Sequence, residues 1–140
     1  MKIEINNVTK EKIETKLLVS AADIFNKKFN LGRQKEISVA LVGERRMRSL
    51  NKKYRQADKI TDVLSFADSK DKDFLGEIII CYPQIKHQAK RQKISIKKEL
   101  TFIFIHGLLH LIGYNDKTER GHGQMMKLGE ELCKSVLDKK

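Results

Sequence analysis

The sequence predicts an α+β fold in which a small mixed sheet of four strands packs with about five helices. Segments with alternating or continuous apolar residues, typical of strands, are interspersed with segments whose apolar residues recur at helical spacing. No linker, repeat or low-complexity stretch divides the 140 residues, of which 40% are hydrophobic and 34% charged. We therefore expect a single domain over residues 1–140, with enough chain to bury a core unaided.

The N-terminal half contains two predicted pairs of a strand and a helix. KIEIN (2–6) alternates between apolar and polar residues, as a half-buried strand does. Over residues 10–29 the apolar side chains recur at helical spacing, which predicts a helix with Thr9 as its N-cap. EISVALV (36–42) is the second predicted strand, and GERRMRSLNKKYR (43–55) is predicted to form a short basic helix.

The C-terminal half contains two further predicted strands and three helices. TDVLSF (61–66) is the third strand, and GEIIICY (76–82) is a fourth that is apolar enough to be buried on both faces. Ser95 is the predicted N-cap of the long apolar helix that carries two histidines. The three helices are expected over about residues 83–91, 95–113 and 117–137.

The chain is strongly basic, with 29 Lys and Arg against 18 Asp and Glu and a formal charge of +11. The excess is concentrated in ERRMRSLNKKYR (44–55) and KHQAKRQKISIKK (86–98). Polyanions are the natural partners of such a surface, and nucleic acid is the commonest of them. General solubility, or a compositional preference for lysine, is the alternative explanation.

Several features indicate a cytoplasmic protein without a membrane partner. The N-terminus has no apolar stretch of the kind that a secretory signal requires. The longest apolar run, LTFIFIHGLLHLIG (100–113), is too short to span a bilayer. Cys81 and Cys133 are the two cysteines and form no CxxC pair, so we expect reduced thiols.

HGLLHLIGYND (106–116) has the spacing of a metal site. His106 and His110 lie four residues apart, which places both imidazoles on one face of a helix and suits a single tetrahedral ion. Gly113 can take the left-handed conformation that ends a helix, so the chain can return and bring Asp116 to the histidines. Three ligands leave a fourth position open, as in catalytic zinc sites. Two histidines that merely fill the core are the alternative.

The same segment resembles the HGxLHLxGYDH signature of the YbeY family of bacterial endoribonucleases. NKKYRQADKITDVLSF is similar to that family's NxxYRxxDxPTDVLSF, and LGEIIIC and KKELTFIFIHG are similar to two further blocks. The four blocks cover roughly residues 51–129, in the family's order. The resemblance implies an α+β fold with a metal, usually zinc, in a groove at the histidine-bearing helix. It also implies a single-strand-directed, metal-dependent endoribonuclease that matures the 3′ end of the small-subunit ribosomal RNA. The implied partners are precursor ribosomal RNA and the ribosome or its small subunit, with roles in ribosome assembly and quality control.

The chain departs from the family pattern at the third metal ligand. Asn115-Asp116 stands where the family has Asp-His, so a carboxylate replaces an imidazole. Zinc accepts carboxylate oxygen, and the substitution makes the site less cationic. His122 is the rival third ligand, although Asp116 is favoured because the turn at the helix end fixes its spacing. Ile60 and Glu77 also replace a proline and an aspartate of the family.

Arg55 matches the family's arginine, which the resemblance implies is needed for activity. A guanidinium fork can hold a phosphate and stabilise charge during an in-line displacement. A surface salt bridge is the alternative role for a lone arginine. Asp62 and Ser65 are expected to shape the groove through hydrogen bonds, and Tyr114 is expected to pack over the site.

Two classes of function follow from these features. The first is a metal-dependent endoribonuclease, and the second is a non-catalytic RNA-binding factor of ribosome assembly whose metal is structural. A metallopeptidase is a weaker third possibility, because Gly107 stands where HExxH enzymes carry the glutamate that acts as general base.

Overall fold

The predicted α+β architecture is confirmed by the structure, a computed structural model that describes residues 1–68 and 70–138. Within these ranges the chain forms four strands and five helices. The strands are β1 (Lys2–Asn7), β2 (Glu36–Val42), β3 (Val63–Ala67) and β4 (Phe74–Cys81). The helices are α1 (Lys16–Phe29), α2 (Glu44–Arg55), α3 (Tyr82–Gln92), α4 (Ile96–Leu111) and α5 (Glu119–Asp138).

The sheet is mixed, as predicted, with the strand order β1-β2-β4-β3. β2 pairs in parallel with both β1 and β4, and β3 pairs antiparallel with β4 at the edge of the sheet. β4 is therefore an interior strand, and its residues Ile78, Ile79 and Ile80 are buried on both faces, which explains its continuous apolar sequence.

The two faces of the sheet are covered unequally. On one face α4 lies against β3 and β4 and also contacts α1, α3 and α5, and this side holds the larger core. A smaller cluster, which contains Met47 of α2 and Leu64, Ile79 and Cys81 of the sheet, lies apart from it. Because α2 is a single short helix, part of this second face stays open as a groove.

The first helix begins later than the sequence predicts. The prediction placed Thr9 at the N-cap, but α1 starts at Lys16 and Thr15 occupies the N-cap position. The hydroxyl of Thr9 instead donates to Asn7 Oδ1 at 2.6 Å and accepts from the amide of Glu11 at 3.2 Å. These local bonds build a turn after β1, in competition with the helix.

The N-cap of α4 is confirmed, since Ser95 Oγ accepts from the amide of Lys98 at 3.0 Å. The other predicted elements are observed with ends that differ by a few residues. Cys81 and Cys133 are buried and unpaired, and burial raises the pKa of the Cys133 thiol to about 11. Over the described residues, no helix combines the length and apolar character needed to cross a bilayer.

Candidate metal centre

His106 and His110 point their imidazoles toward each other from one face of α4, as the spacing predicts. Their Nε2 atoms lie 3.1 Å apart, and both side chains are half-buried. Two nitrogens bound to one tetrahedral zinc at about 2.0–2.1 Å would lie roughly 3.3–3.4 Å apart. The pair is thus close to the separation that a shared ion requires.

A backbone carbonyl selects the tautomer of His110. The Nδ1 atom of His110 lies 3.1 Å from the carbonyl oxygen of Tyr114, which can only accept a hydrogen bond. Nδ1 therefore carries the hydrogen, and in the neutral ring the lone pair is on Nε2, which faces His106. Metal-bound histidines commonly use this type of anchoring bond.

The return of the chain after α4 depends on two glycines. Gly113 has φ +106°, a conformation that L side chains rarely adopt, and it ends the helix as predicted. A Cβ on Gly121 would lie 2.6 Å from the carbonyl oxygen of Asn115. The start of α5 can therefore approach the loop that carries Asp116, which a side chain at position 121 would prevent.

Asp116, rather than His122, joins the histidine pair in the structure. Asp116 Oδ2 lies 3.9 Å from His106 Nε2, and one ligand atom from each of the three residues falls within 4.8 Å of the others. His122 is exposed in the first turn of α5 and is not part of this group. Two imidazoles and a carboxylate are a donor set that zinc accepts, with one position left open. That these residues bind a metal stays a prediction.

The site keeps His106 in the form that can bind a metal. Burial lowers the pKa of the His106 imidazole, and the nearby charge of His110 lowers it further, against the opposing carboxylates of Asp116 and Asp62. At neutral pH the ring is therefore neutral, as a metal ligand must be.

A cavity of about 420 Å³ contains the cluster and brings the other predicted site residues to it. Its lining includes Arg55, Asp62 and Ser65 together with the three candidate ligands. Arg55 is exposed, and its Nη2 donates to the carbonyl oxygen of Ser65 at 2.9 Å. Its guanidinium carbon lies 4.8 Å from the centroid of the Phe66 ring. Arg55 takes part in none of the ion pairs found among the described residues, which disfavours a surface salt bridge as its role.

Asp62 is held by a polar network that the sequence did not reveal. Gln88 Nε2 lies 3.2 Å from Asp62 Oδ2 and 2.7 Å from Glu99 Oε2, so one amide bridges two carboxylates. Glu99 is only 3% exposed and also accepts from Gln92 at 3.1 Å. An acid within this apolar helix indicated that Glu99 needs polar partners, but the sequence did not identify them.

Gly107 lies where α4 packs closely on the sheet. A Cβ at this position would lie 3.1 Å from Ile78 Cγ2 and 3.2 Å from Ser65 Oγ, where α4 meets the sheet. A glutamate side chain here would begin with a tight contact to the sheet, which disfavours the general base of HExxH peptidases at this position. The structure therefore adds a steric argument against peptide hydrolysis.

The predicted packing of Tyr114 over the site is wrong. Its ring packs against the larger core, with its centroid 6.0 Å from that of Phe29, and it is absent from the lining of the cavity. Tyr114 serves the site through its backbone carbonyl, which a side-chain pattern cannot show.

Comparison with known proteins gives consistent matches over nearly the whole chain. The family model described as Endoribonuclease YbeY matches residues 2–137. Endoribonuclease YbeY of Ureaplasma parvum serovar 3 is 33% identical over 136 residues, which are 95% of this chain and 88% of the relative. Endoribonuclease YbeY of Geobacillus thermodenitrificans is 38% identical over 143 aligned positions, covering 92% of this chain and 89% of the relative.

A solved structure shows the same fold. The solution structure of TM1509 from Thermotoga maritima superposes with a TM-score of 0.67 at 27% sequence identity, covering 96% of this chain and 88% of that one. The matches extend beyond the four sequence blocks to the first strand and the last helix. The resemblance inferred from those blocks is confirmed, and the chain belongs to the YbeY family of endoribonucleases.

Proposed function

We propose that this protein is a metal-dependent endoribonuclease that cleaves single-stranded RNA during ribosomal RNA maturation. The observation that carries the proposal is that the His106–His110–Asp116 cluster and Arg55 line the same cavity. A metal-ligand group and a guanidinium with unused N–H donors in one cavity suit the cleavage of a phosphodiester, whose transition state gains negative charge.

The three clustered residues would hold one divalent ion, for which zinc is the best match to two imidazoles and a carboxylate. When bound there, such an ion acts as a Lewis acid toward a phosphoryl oxygen. The protein's part is to orient the two imidazoles. The Tyr114 carbonyl fixes the ring orientation of His110, and burial favours the neutral form of His106.

Arg55 would bind the non-bridging oxygens of the scissile phosphate. A guanidinium has five N–H donors, and the bond to Ser65 leaves others available to the cavity. Contact with the Phe66 ring and the Ser65 carbonyl restricts the side chain before RNA arrives. The guanidinium is thus oriented in advance toward the charge that builds up during cleavage.

Asp62 is the remaining carboxylate of the cavity, and we assign to it the role of accepting the proton that the attacking water or ribose 2′-hydroxyl releases as its oxygen bonds to phosphorus. Gln88 donates to its Oδ2 atom, whereas Oδ1 has only a long contact of 3.5 Å with the Thr61 hydroxyl and keeps a lone pair for the proton. A carboxylate in this role must be within hydrogen-bond reach of the nucleophile once RNA is bound.

The biological setting is proposed from the family and the charge. We infer that the substrate is precursor ribosomal RNA, cut near the 3′ end of the small-subunit RNA, and that the protein acts in ribosome assembly and quality control in the cytoplasm. A formal charge of +11 is consistent with an RNA or ribosome partner.

A non-catalytic assembly factor is the second candidate, favoured by one observation. The candidate ligands join the end of α4 to the loop before α5, so a metal could fasten these helices. In that case the ion would contribute to folding instead of cleavage.

Metal removal separates the two candidates. Protein purified without chelating resin would be treated with a chelator, and cleavage of precursor small-subunit RNA, RNA affinity and circular dichroism would be followed together. We expect cleavage to disappear while helix content and RNA affinity are retained. Loss of the helical signal with the metal, or an absence of cleavage in metal-loaded protein, would favour the assembly factor.

A further inference from the structure

A second groove lies on the face of the sheet that α2 only partly covers. It has a volume of about 520 Å³, and the metal cluster is not among its lining residues. Its walls include Val42 and Ile79 of the sheet and Leu50 of α2, so a flat apolar group would find contacts there. Tyr54 and Phe66 add two aromatic rings, and we call this region the aromatic groove.

Tyr54 is exposed although it is a large aromatic residue. Its side chain is 48% exposed, and its ring meets Phe66 edge-on with centroids 5.3 Å apart. The contact with Phe66 orients the ring, and the ammonium of the exposed Lys53 lies over it, where a base could displace this flexible side chain. Exposed aromatic rings held in this way are the usual platforms on which the bases of single-stranded nucleic acid stack.

Arg55 joins the aromatic groove to the metal cavity. Arg55 lines the cavity, and its guanidinium carbon lies 4.8 Å from the centroid of the Phe66 ring, which in turn contacts Tyr54. The two steps place the Arg55 guanidinium and the Tyr54 ring within about 10 Å of each other. One short single-stranded segment could therefore contact both.

The charges around the groove suit RNA in a defined orientation. Arg46 lines the groove, and Lys53 Nζ lies 5.2 Å from the centroid of the Tyr54 ring, so the α2 side can hold phosphates. Glu77 also lines the groove, and its carboxylate repels phosphates from the sheet side. The sugar–phosphate backbone should therefore follow α2, while a base enters the groove.

We propose that the aromatic groove is a base-binding subsite, in which a nucleotide flanking the scissile phosphate stacks on Tyr54. The proposal rests on the proposed endoribonuclease function, since it places the cleaved bond at the metal cavity. The subsite selects single-stranded RNA, because a base must leave its helix to stack on the ring. It recognises the faces of bases more than their edges, so it tolerates different sequences.

The test compares variants of the metal-loaded protein that keep or remove the ring. Affinity would be measured for a 2′-O-methyl RNA strand of about ten nucleotides, which resists attack by its own ribose hydroxyl. Tyr54→Ala should weaken binding about 5- to 150-fold, the equivalent of roughly 1–3 kcal/mol for one stacked base. Tyr54→Phe should stay within about 2-fold of wild type, since stacking needs the ring and not the hydroxyl. Val19→Ala, which alters a 41% exposed apolar residue on α1, is the matched control and should change nothing.

Two further measurements identify stacking as the cause. A set of RNA strands would each lack one base at a different position. For one of these strands, wild type should bind more weakly than it binds the intact strand. Tyr54→Ala should bind that strand and the intact strand equally well. Tyr54→Trp would introduce the only tryptophan of the chain, and its fluorescence should be quenched by single-stranded RNA but not by duplex RNA.

The outcomes separate this proposal from the function on which it depends. Wild-type protein that neither binds nor cleaves RNA would contradict the proposed function itself. Wild-type cleavage together with unchanged RNA affinity in Tyr54→Ala would overturn the subsite alone. A loss of binding that is equal in Tyr54→Phe and Tyr54→Ala would also overturn stacking. If Tyr54→Ala kept its RNA affinity but lost binding to ribosomal proteins, the groove would instead be a protein-docking surface.

Discussion

Arg55 gives a prediction in which effects on stability, binding and cleavage separate. In the structure its side chain makes a hydrogen bond of 2.9 Å to the Ser65 carbonyl and a contact of 4.8 Å with the Phe66 ring. Both contacts are made by an exposed residue, and Arg55 also lines the metal cavity. Arg55→Ala removes all of these interactions without opening a void in the core.

The expected magnitudes differ by cause. Losing an exposed cation–π contact and one edge hydrogen bond should lower the free energy of unfolding by about 1–2 kcal/mol. RNA affinity should fall a few-fold, because one phosphate contact is lost among several. Cleavage should fall roughly 100- to 1,000-fold, the usual effect of removing one donor to a charged transition state. Arg55→Lys should restore much of the affinity and little of the rate, because lysine has the charge but not the fork.

The assay pairs single-turnover cleavage with RNA affinity over a salt series. Arg91→Ala is the matched control, since Arg91 is an exposed arginine on α3 outside the cavity lining. This variant should reduce the slope of log affinity against log salt concentration by about one unit, the contribution of one phosphate contact. It should leave the cleavage rate of bound RNA unchanged. Thermal melting confirms that both variants are folded. If Arg55→Ala lowered affinity and cleavage in equal proportion, Arg55 would be one more phosphate tether and the assignment would fail.

Four further predictions follow from the site. Asp116→Ala should release the metal while His122→Ala keeps it; the opposite pattern in metal analysis would make His122 the third ligand. Asp62→Asn should lower the single-turnover rate much more than RNA affinity, and an unchanged rate would exclude Asp62 as the proton acceptor. Because burial lowers the pKa of His106 in the folded state, the unfolded chain binds its proton more readily, and metal-free protein should lose stability as the pH falls below about 6.5. His106→Asn should lack that part of the loss in melting experiments. Gly107→Ala should lower the free energy of unfolding by about 0–2 kcal/mol in urea titrations, because crowding of Ile78 at 3.1 Å offsets the gain of about 1 kcal/mol in helix propensity, and a net stabilisation would show that Ile78 moves aside.

The parts of the site that sequence predicted are those determined by local geometry. The spacing of His106 and His110 fixes their shared helix face, and Gly113 fixes the turn that returns Asp116. Each depends on backbone rules that act over a few residues. The four strands were predicted for the same reason, since alternation and continuous apolar runs reflect local periodicity.

The parts that sequence missed depend on contacts between distant residues. The bridge from Gln88 to Asp62 and Glu99 joins segments 26 and 11 residues apart, and no spacing rule predicts it. The aromatic contact between Tyr54 and Phe66 likewise needs the packing of α2 on the sheet. Even a local error had a physical cause, because the side chains of Asn7 and Thr9 form a turn where a helix start was predicted.

The measurement that tests the central claim most directly is the metal content of wild type, His106→Ala and His110→Ala, taken together with their cleavage of single-stranded RNA. Wild type should carry about one divalent ion per chain, and each variant should lose the ion and the cleavage while keeping its fold and RNA affinity. Full retention of the ion in either variant would contradict the assignment of that histidine. Cleavage that persists in metal-free variants would contradict the account of a metal-dependent endoribonuclease.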